Sequence, residues 1–411
     1  MTMTRRTLSL SALAASVVLP SCSREPAATA VQSFTVRDSV GIEIVSNHSP
    51  LWHSGEEWRL AERPYLELGK LEGDAEEMFT APAARLLSDG RILISERADR
   101  ELRLFAPDGS WLWTAGGEGR GPGEFAALDA AVVLPGDTIL AFDRRSKRAT
   151  WFSADGEFVR SVQISAGDRT TIGQGVLDAG TWLFASYLSS SDSAGLSRSQ
   201  QAVQLVNSVG VPNSTLDTLT VDLSLTESRE NSSLFVPLPF FARPVFSAGA
   251  GKAYLTDNTS WTIQVFDDSG NLTRLIRRDW EPRPVTDSDI ELRLERLRRA
   301  QEQANTSDEM KKSALRMLEE GARLSATFPP LSEYRVDRVG NLWTLDWYMP
   351  EWPLPEREYN VFNPSGVWLG PVTIPAGMVI SDVGENYIVV TVTDELDVQH
   401  VQIYEIIKPT G

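Results

Sequence analysis

The feature that most constrains this chain is an order of short β-type runs and turns that recurs at a fixed spacing. Residues 84–87, the turn Ser88-Asp89-Gly90, residues 91–95, residues 102–105, the turn Asp108-Gly109 and residues 111–114 form one unit. Residues 130–134, Pro135-Gly136-Asp137, 138–142, 149–152, Asp155-Gly156 and 158–164 repeat it, with the equivalent aromatics Phe105 and Phe152 47 positions apart. Runs rich in β-branched and aromatic residues, bounded by Gly and Asp, read as strands. Units of about four strands at a period of about 40–50 residues are the mark of sheets set radially about an axis.

Weaker copies follow at 176–210, 245–276, 334–369 and 379–406. The fold class this predicts is all-β, a six-bladed β-propeller occupying 34–411. The last unit is one outer strand short. Because an open edge invites aggregation, residues 34–45 and 58–68, which precede the first full unit, are expected to complete it. The polar stretch 189–200 in the third unit is expected to be a serine-rich loop.

One segment changes period. Over 286–327, Ile290, Leu294 and Leu297 recur at helical spacing. Thr286-Asp287-Ser288-Asp289 supplies an N-cap with acids in the first turn, and Thr306-Ser307-Asp308-Glu309 has the form of a capping box. A helical hairpin with its turn near Asn305 is therefore predicted between blades four and five, ended by Pro329-Pro330 and standing on one face of the ring.

The amino terminus follows other rules. Arg5 and Arg6 precede an apolar stretch from Leu8 to Leu19, too short to span a bilayer, and Leu19-Pro20-Ser21-Cys22 follows. Residues 1–22 resemble a bacterial lipoprotein signal, with Cys22 as the lipidation site, the only cysteine of the chain and hence without a disulfide partner. A plain secretory signal is the alternative, and Thr4-Arg5-Arg6-Thr7-Leu8 also resembles a twin-arginine signal. Residues 23–33, rich in Ala, Ser and Pro, read as a tether. The net charge of −17 argues against nucleic acid, whose phosphates need a basic stripe; the membrane would be met through the anchor on Cys22.

At Gly116-Gly117-Glu118-Gly119-Arg120-Gly121-Pro122-Gly123-Glu124-Phe125, followed by Val132-Val133-Leu134-Pro135-Gly136-Asp137 and Phe152-Ser153-Ala154-Asp155-Gly156, the chain resembles six-bladed propellers of the NHL-like and TolB-like type. With its amino terminus, it resembles bacterial lipoproteins of that fold with no assigned activity. The resemblance implies the fold and no reaction.

The glycine connector could cradle phosphate, but no helix and no Lys-Ser/Thr pair follows, so glycines supplying positive φ at a blade joint are the simpler reading. His48, His53 and His400 are the only histidines, which makes a three-histidine metal site improbable. Six-bladed hydrolases resembling gluconolactonases hold Ca2+ on channel carboxylates. The positions open to that here are Asp129, Asp178, Asp337 and Asp382, each of which could equally be a turn acid. Trp347, Tyr348 and Trp352 lie in a proline-bounded loop, where they could stack on a saccharide, grip an envelope protein, or pack under the helical hairpin. Arg298 and Arg299 belong to a local basic cluster, an anion site or a solvated helix face. With no catalytic constellation, the expected role is a non-catalytic binding or scaffolding module of the cell envelope without a cofactor; the alternative is a calcium-dependent hydrolase or lyase.

Overall fold

The computed structural model describes residues 32–69, 79–80, 82–165, 170–178, 180–193, 195–229, 232–302, 306–349 and 354–409. Residues 1–22 with Cys22, most of the tether, Asn305 and Trp352 lie outside the described residues.

The chain is mostly β and its sheets take a propeller arrangement. Pro82–Leu86, Ile92–Glu96, Glu101–Phe105 and Trp111–Gly116 form an antiparallel four-stranded meander in chain order. Leu128–Val133, Ile139–Asp143, Arg148–Phe152 and Phe158–Gln163 form the next, and Leu331–Val336, Leu342–Asp346, Arg357–Phe362 and Trp368–Ile374 a third. The burial gradient within a meander explains its sequence. Ile92–Glu96 and Ile139–Asp143 are buried at every position, so their apolar residues run without alternation, up to a buried acid at the end of each, Glu96 and Asp143. The outer strands Trp111–Gly116 and Phe158–Gln163 are largely exposed and correspondingly mixed.

Cohesion comes from apolar cores between successive meanders. Leu93, Leu104 and Phe125 of the first repeat region pack with Ala131, Ile139 and Phe152 of the second. The last meander, Val379–Val383, Tyr387–Thr393 and Gln399–Ile407, packs Val389, Val401 and Ile403 against Ala84, Ile92 and Phe105 of the first. The arrangement therefore closes on itself. Burying a side chain of this size stabilises by about 1.5–3 kcal/mol, and every seam buries several.

Among the described residues the hydrogen-bonded sheets number five, where the repeats predict six. The difference arises at Gly175, whose backbone pairs in parallel with Ala248 and joins two meanders into one eleven-stranded sheet. A Cβ on Gly175 would meet the Ala248 carbonyl oxygen at 2.3 Å, so only glycine permits this approach.

Two expectations need correction. Residues 189–200 are not a loop: Thr181–Ser193, Leu196–Asn207 and Pro212–Arg229 run for 13, 12 and 18 residues, and Ser190 pairs with Ser199 and Asp192 with Ser197. The ladder satisfies the backbone there without an apolar pattern. Likewise, residues 34–45 do not complete the last meander. Ile42–Asn47 pairs in parallel with Leu272–Arg278, and Phe34–Ser39 caps it. Of the amino-terminal segment's described residues, Arg59–Leu60 and Leu66–Leu68 are the ones that pair with Gln399–Ile407. Between them, the amides of Leu51 and Trp52 donate to the carbonyls of Trp368 and Leu369. The amino-terminal segment is thus a strap along three outer edges.

Helices α1 (Asp287–Glu302) and α2 (Asp308–Ala322) follow Leu272–Arg278. Thr286 and Asp289 cap α1 reciprocally. The N-cap of α2 is Ser307, whose Oγ accepts from the amide of Met310 at 3.3 Å, one residue later than the capping box placed it.

Candidate functional site

In an antiparallel meander the turn between the second and third strands lies at the same end as the connection to the next unit. The long hairpins of the third unit, both helices and the loop after Leu342–Asp346 consequently gather on one face. There they share a core of their own: Val236, Phe240, Ile290, Leu294, Met317, Leu318, Ala322 and Phe328 are all buried. The result is a lobe standing on the ring, while Phe235 (55% exposed) and Leu324 (60% exposed) present apolar surface on its outside.

Trp347 belongs to that core. Its ring lies 4.1 Å from Phe328 and 6.1 Å from Phe240, so it is half-buried beneath the helices rather than open for stacking. Tyr348 packs toward the seam between the last two meanders, and its amide donates to Ser332 Oγ at 3.1 Å. Arg299 pairs with Glu295 one turn earlier, and Arg298 is exposed on the same helix, the arrangement of a solvated face.

The four aspartates are not brought together. Asp178 accepts the amides of Gly180 and Thr181 at its own turn. Asp337 is buried and accepts from the amides of Val339 and Asn341, Asn341 Nδ2 and Trp343 Nε1. Asp382 is buried between Arg85 (3.1 Å) and Arg338 (2.7 Å), one guanidinium to each oxygen. Beside it, Arg335 donates to the Ile380 carbonyl at 2.7 Å and pairs with Glu333, which also accepts from Tyr359. Burial opposes the charge on Glu333, yet Arg335 and these hydrogen bonds outweigh it and hold the carboxyl below its ordinary range. Among the described residues, no group of three or more His, Cys, Asp or Glu could hold a metal ion.

Asp337 responds in the opposite sense to Glu333. Burial pushes its carboxyl above the ordinary 3.8, against the hydrogen bonds that pull it down. The folded chain then holds this proton more tightly than the unfolded chain, so the Asp337 contribution to stability falls as pH rises from the unfolded value through the folded one. Urea unfolding of the wild type and Asp337→Asn across that window checks the sign. The wild-type advantage is expected to shrink with rising pH, and a growing advantage would contradict it.

Asp129 faces a different neighbourhood. A cleft of about 460 Å³ is lined by Arg97, Arg100, Arg144 and Arg145 around Asp129 and Leu128. The turn carrying Arg97 and Arg100 follows Ile92–Glu96, and the turn carrying Arg144 and Arg145 follows Ile139–Asp143. Buried acids fix both walls. Glu96 accepts the amides of Thr80 and Ala98, while Asp143 accepts those of Ala126, Ala127, Arg145 and Ser146. Beside the cleft, Arg100 pairs with Glu118 of the glycine connector at 2.7 Å. In that connector, Gly116 and Gly117 stand at φ 101° and 103°, and Glu124 takes the Gly121 amide. The blade-joint reading of those glycines fits this geometry. The cleft itself was not anticipated from sequence, although Arg97 and Arg144 are 47 positions apart, the repeat spacing.

Among the described residues no helix is long and apolar enough to cross a membrane. No family model matches the chain, and no curated protein does. Solved structures do. A member of the DUF4221 family from Bacteroides vulgatus aligns at 10% identity over 86% of this chain and 99% of its own, with a TM-score of 0.46. Catalytically inactive virginiamycin B lyase from Staphylococcus aureus aligns at 10% identity over 85% and 100%, with a TM-score of 0.37. A gluconolactonase from Xanthomonas campestris aligns at 12% identity over 80% and 88%, with a TM-score of 0.32. Likeness at this level assigns no activity to this chain.

Proposed function

We propose that this protein is an exported six-bladed propeller, anchored to the bacterial cell envelope through lipid on Cys22, that works as a non-catalytic binding or scaffolding module. Six blades are supported by counting the joined meanders at Gly175 and Ala248 as two and by the interfacial cores between consecutive repeats. Export and anchoring rest on the signal-like residues 1–22. The observation that carries the binding role is the lobe: strands two to three times the length of those in neighbouring blades and two helices, assembled on one face with a shared core. Such elaboration adds nothing to ring closure and builds a surface. The partner class is an envelope protein or saccharide.

The test uses the anchored, full-length chain. Phe235→Glu and Leu324→Glu alter exposed positions outside the lobe core, so folding should persist. In-cell crosslinking is expected to capture a defined envelope partner with the wild type and to lose it with the double variant. Absence of a saturable partner, or capture unaffected by the substitutions, would overturn the reading.

A further inference from the structure

The cleft between the first two repeats carries four arginines, of which Arg100 is paired with Glu118, and one aspartate, in a chain of net charge −17. Local excess positive charge against an acidic background focuses anions into a concave site. Neither Arg144 nor Arg145 has a carboxylate partner among the described residues, and Asp129, half-buried in their midst, makes no hydrogen bond or ion pair there. Simple surface charge would leave that acid and those cations to neutralise one another.

Two further observations favour a built site. Arg100, which lines the cleft, stands at φ 62°. The left-handed region costs an ordinary side chain about 1–2 kcal/mol, and arginine lacks the short polar side chain that eases it. The walls are also held before any ligand arrives, because Glu96 and Asp143 tie each arginine-bearing turn to the segment behind it. Preorganised donors lose little freedom on binding.

We infer that this cleft binds a small anionic polyol: a carboxylate or phosphate group gripped by Arg144 and Arg145 with Arg97 and Arg100, on a sugar-sized body whose hydroxyl donates to Asp129. Guanidinium forks suit planar oxyanions and phosphates alike, and the acid selects against a bare anion by repelling it while rewarding a hydroxyl. The inference uses residues apart from the lobe, so it stands or falls separately from partner capture.

Isothermal titration of the whole mature protein with galacturonate, glucose 6-phosphate, glucose and inorganic phosphate tests it. Saturable binding is expected for at least one of the two anionic sugars, weakening as salt is raised, with none for glucose. Arg144→Gln combined with Arg145→Gln, on an exposed turn, should weaken binding about tenfold or more. Arg97→Gln, on the other wall, should also weaken binding. Asp129→Asn should narrow the preference for the anionic sugar over inorganic phosphate. No binding of either anionic sugar, or binding indifferent to both sets of arginine substitutions, would overturn the site. Equal affinity for inorganic phosphate and the sugar phosphate would overturn the polyol assignment.

Discussion

Asn47→Ala is expected to cost about 3 kcal/mol of stability, more than any exposed substitution in the chain. Asn47 is 1% exposed and sits where the strap crosses from one outer edge to the next. Its Nδ2 donates to the carbonyls of Arg277 and Gly366, each at 3.0 Å, and its Oδ1 accepts from the Trp368 amide at 2.8 Å. One side chain therefore satisfies backbone groups in two sheets that share no ladder at that point. Alanine leaves an amide and two carbonyls without partners where water has little access, and each such donor or acceptor costs about 1–3 kcal/mol. Asn47→Asp keeps the acceptor but loses both donations, so it should fall no closer to the wild type. Urea unfolding monitored by tryptophan fluorescence gives the difference. An unchanged midpoint for Asn47→Ala would mean the strap edge contributes nothing to holding these sheets.

The second large effect is expected at Asp143. Its carboxylate is wholly buried and accepts the amides of Ala126 (2.6 Å), Ala127 (3.2 Å), Arg145 (2.9 Å) and Ser146 (2.9 Å). Asp143→Ala orphans four donors at once and should cost about 4 kcal/mol, at the upper end for a single substitution. Hydrogen exchange distinguishes a local from a global origin: protection should be lost first at 126–127 and 145–146, with the distant sheets following only near the melting transition. Asp143→Asn, which keeps one acceptor oxygen, should recover part of the loss. Retained protection at those four amides in Asp143→Ala would show that other groups hold the turn. Because the same carboxylate sets the wall carrying Arg145, anion binding in the cleft should weaken alongside.

How much of this could be read beforehand varied with the physics of each element. The meanders over 82–164 were legible because every strand there is bounded on one side by an Asp-Gly or Pro-Gly turn and its middle strands open on an unbroken apolar run, Ile92-Leu93-Ile94 and Ile139-Leu140-Ala141-Phe142. The helices were legible because Ile290 and Leu294 keep their period and Ser307 lies within one residue of the capping signal. The long hairpins were not, since the run Ser189-Ser190-Ser191-Asp192 has no apolar alternation in sequence and is extended through its pairing with Leu196–Asn207. Parallel pairing of Ile42–Asn47 with Leu272–Arg278 likewise leaves no local trace. At the candidate sites, the alternative of turn acids described Asp178 and Asp337 well, and Trp347 went under the hairpin. The arginine cleft leaves no local mark in the sequence, because each of its arginines reads as an ordinary polar turn position until two repeats are laid side by side.

The strap also dictates a schedule. Asn47 waits for Arg277, 230 residues later, and Glu67 for Gln402, 335 residues later. A chain emerging in order from a ribosome or an export pore therefore carries the hairpin of Phe34–Ser39 and Ile42–Asn47 without its outer partner until Leu272–Arg278 arrives, and Arg59–Leu60 and Leu66–Leu68 unpaired until Gln399–Ile407 does. Closing loops of that size delays the final step and places it after the local meanders have formed. A nascent chain halted before Gln399–Ile407 would expose Arg59–Leu60 and Leu66–Leu68 as bare edges, giving a surveillance protease a means of telling a truncated product from a finished one.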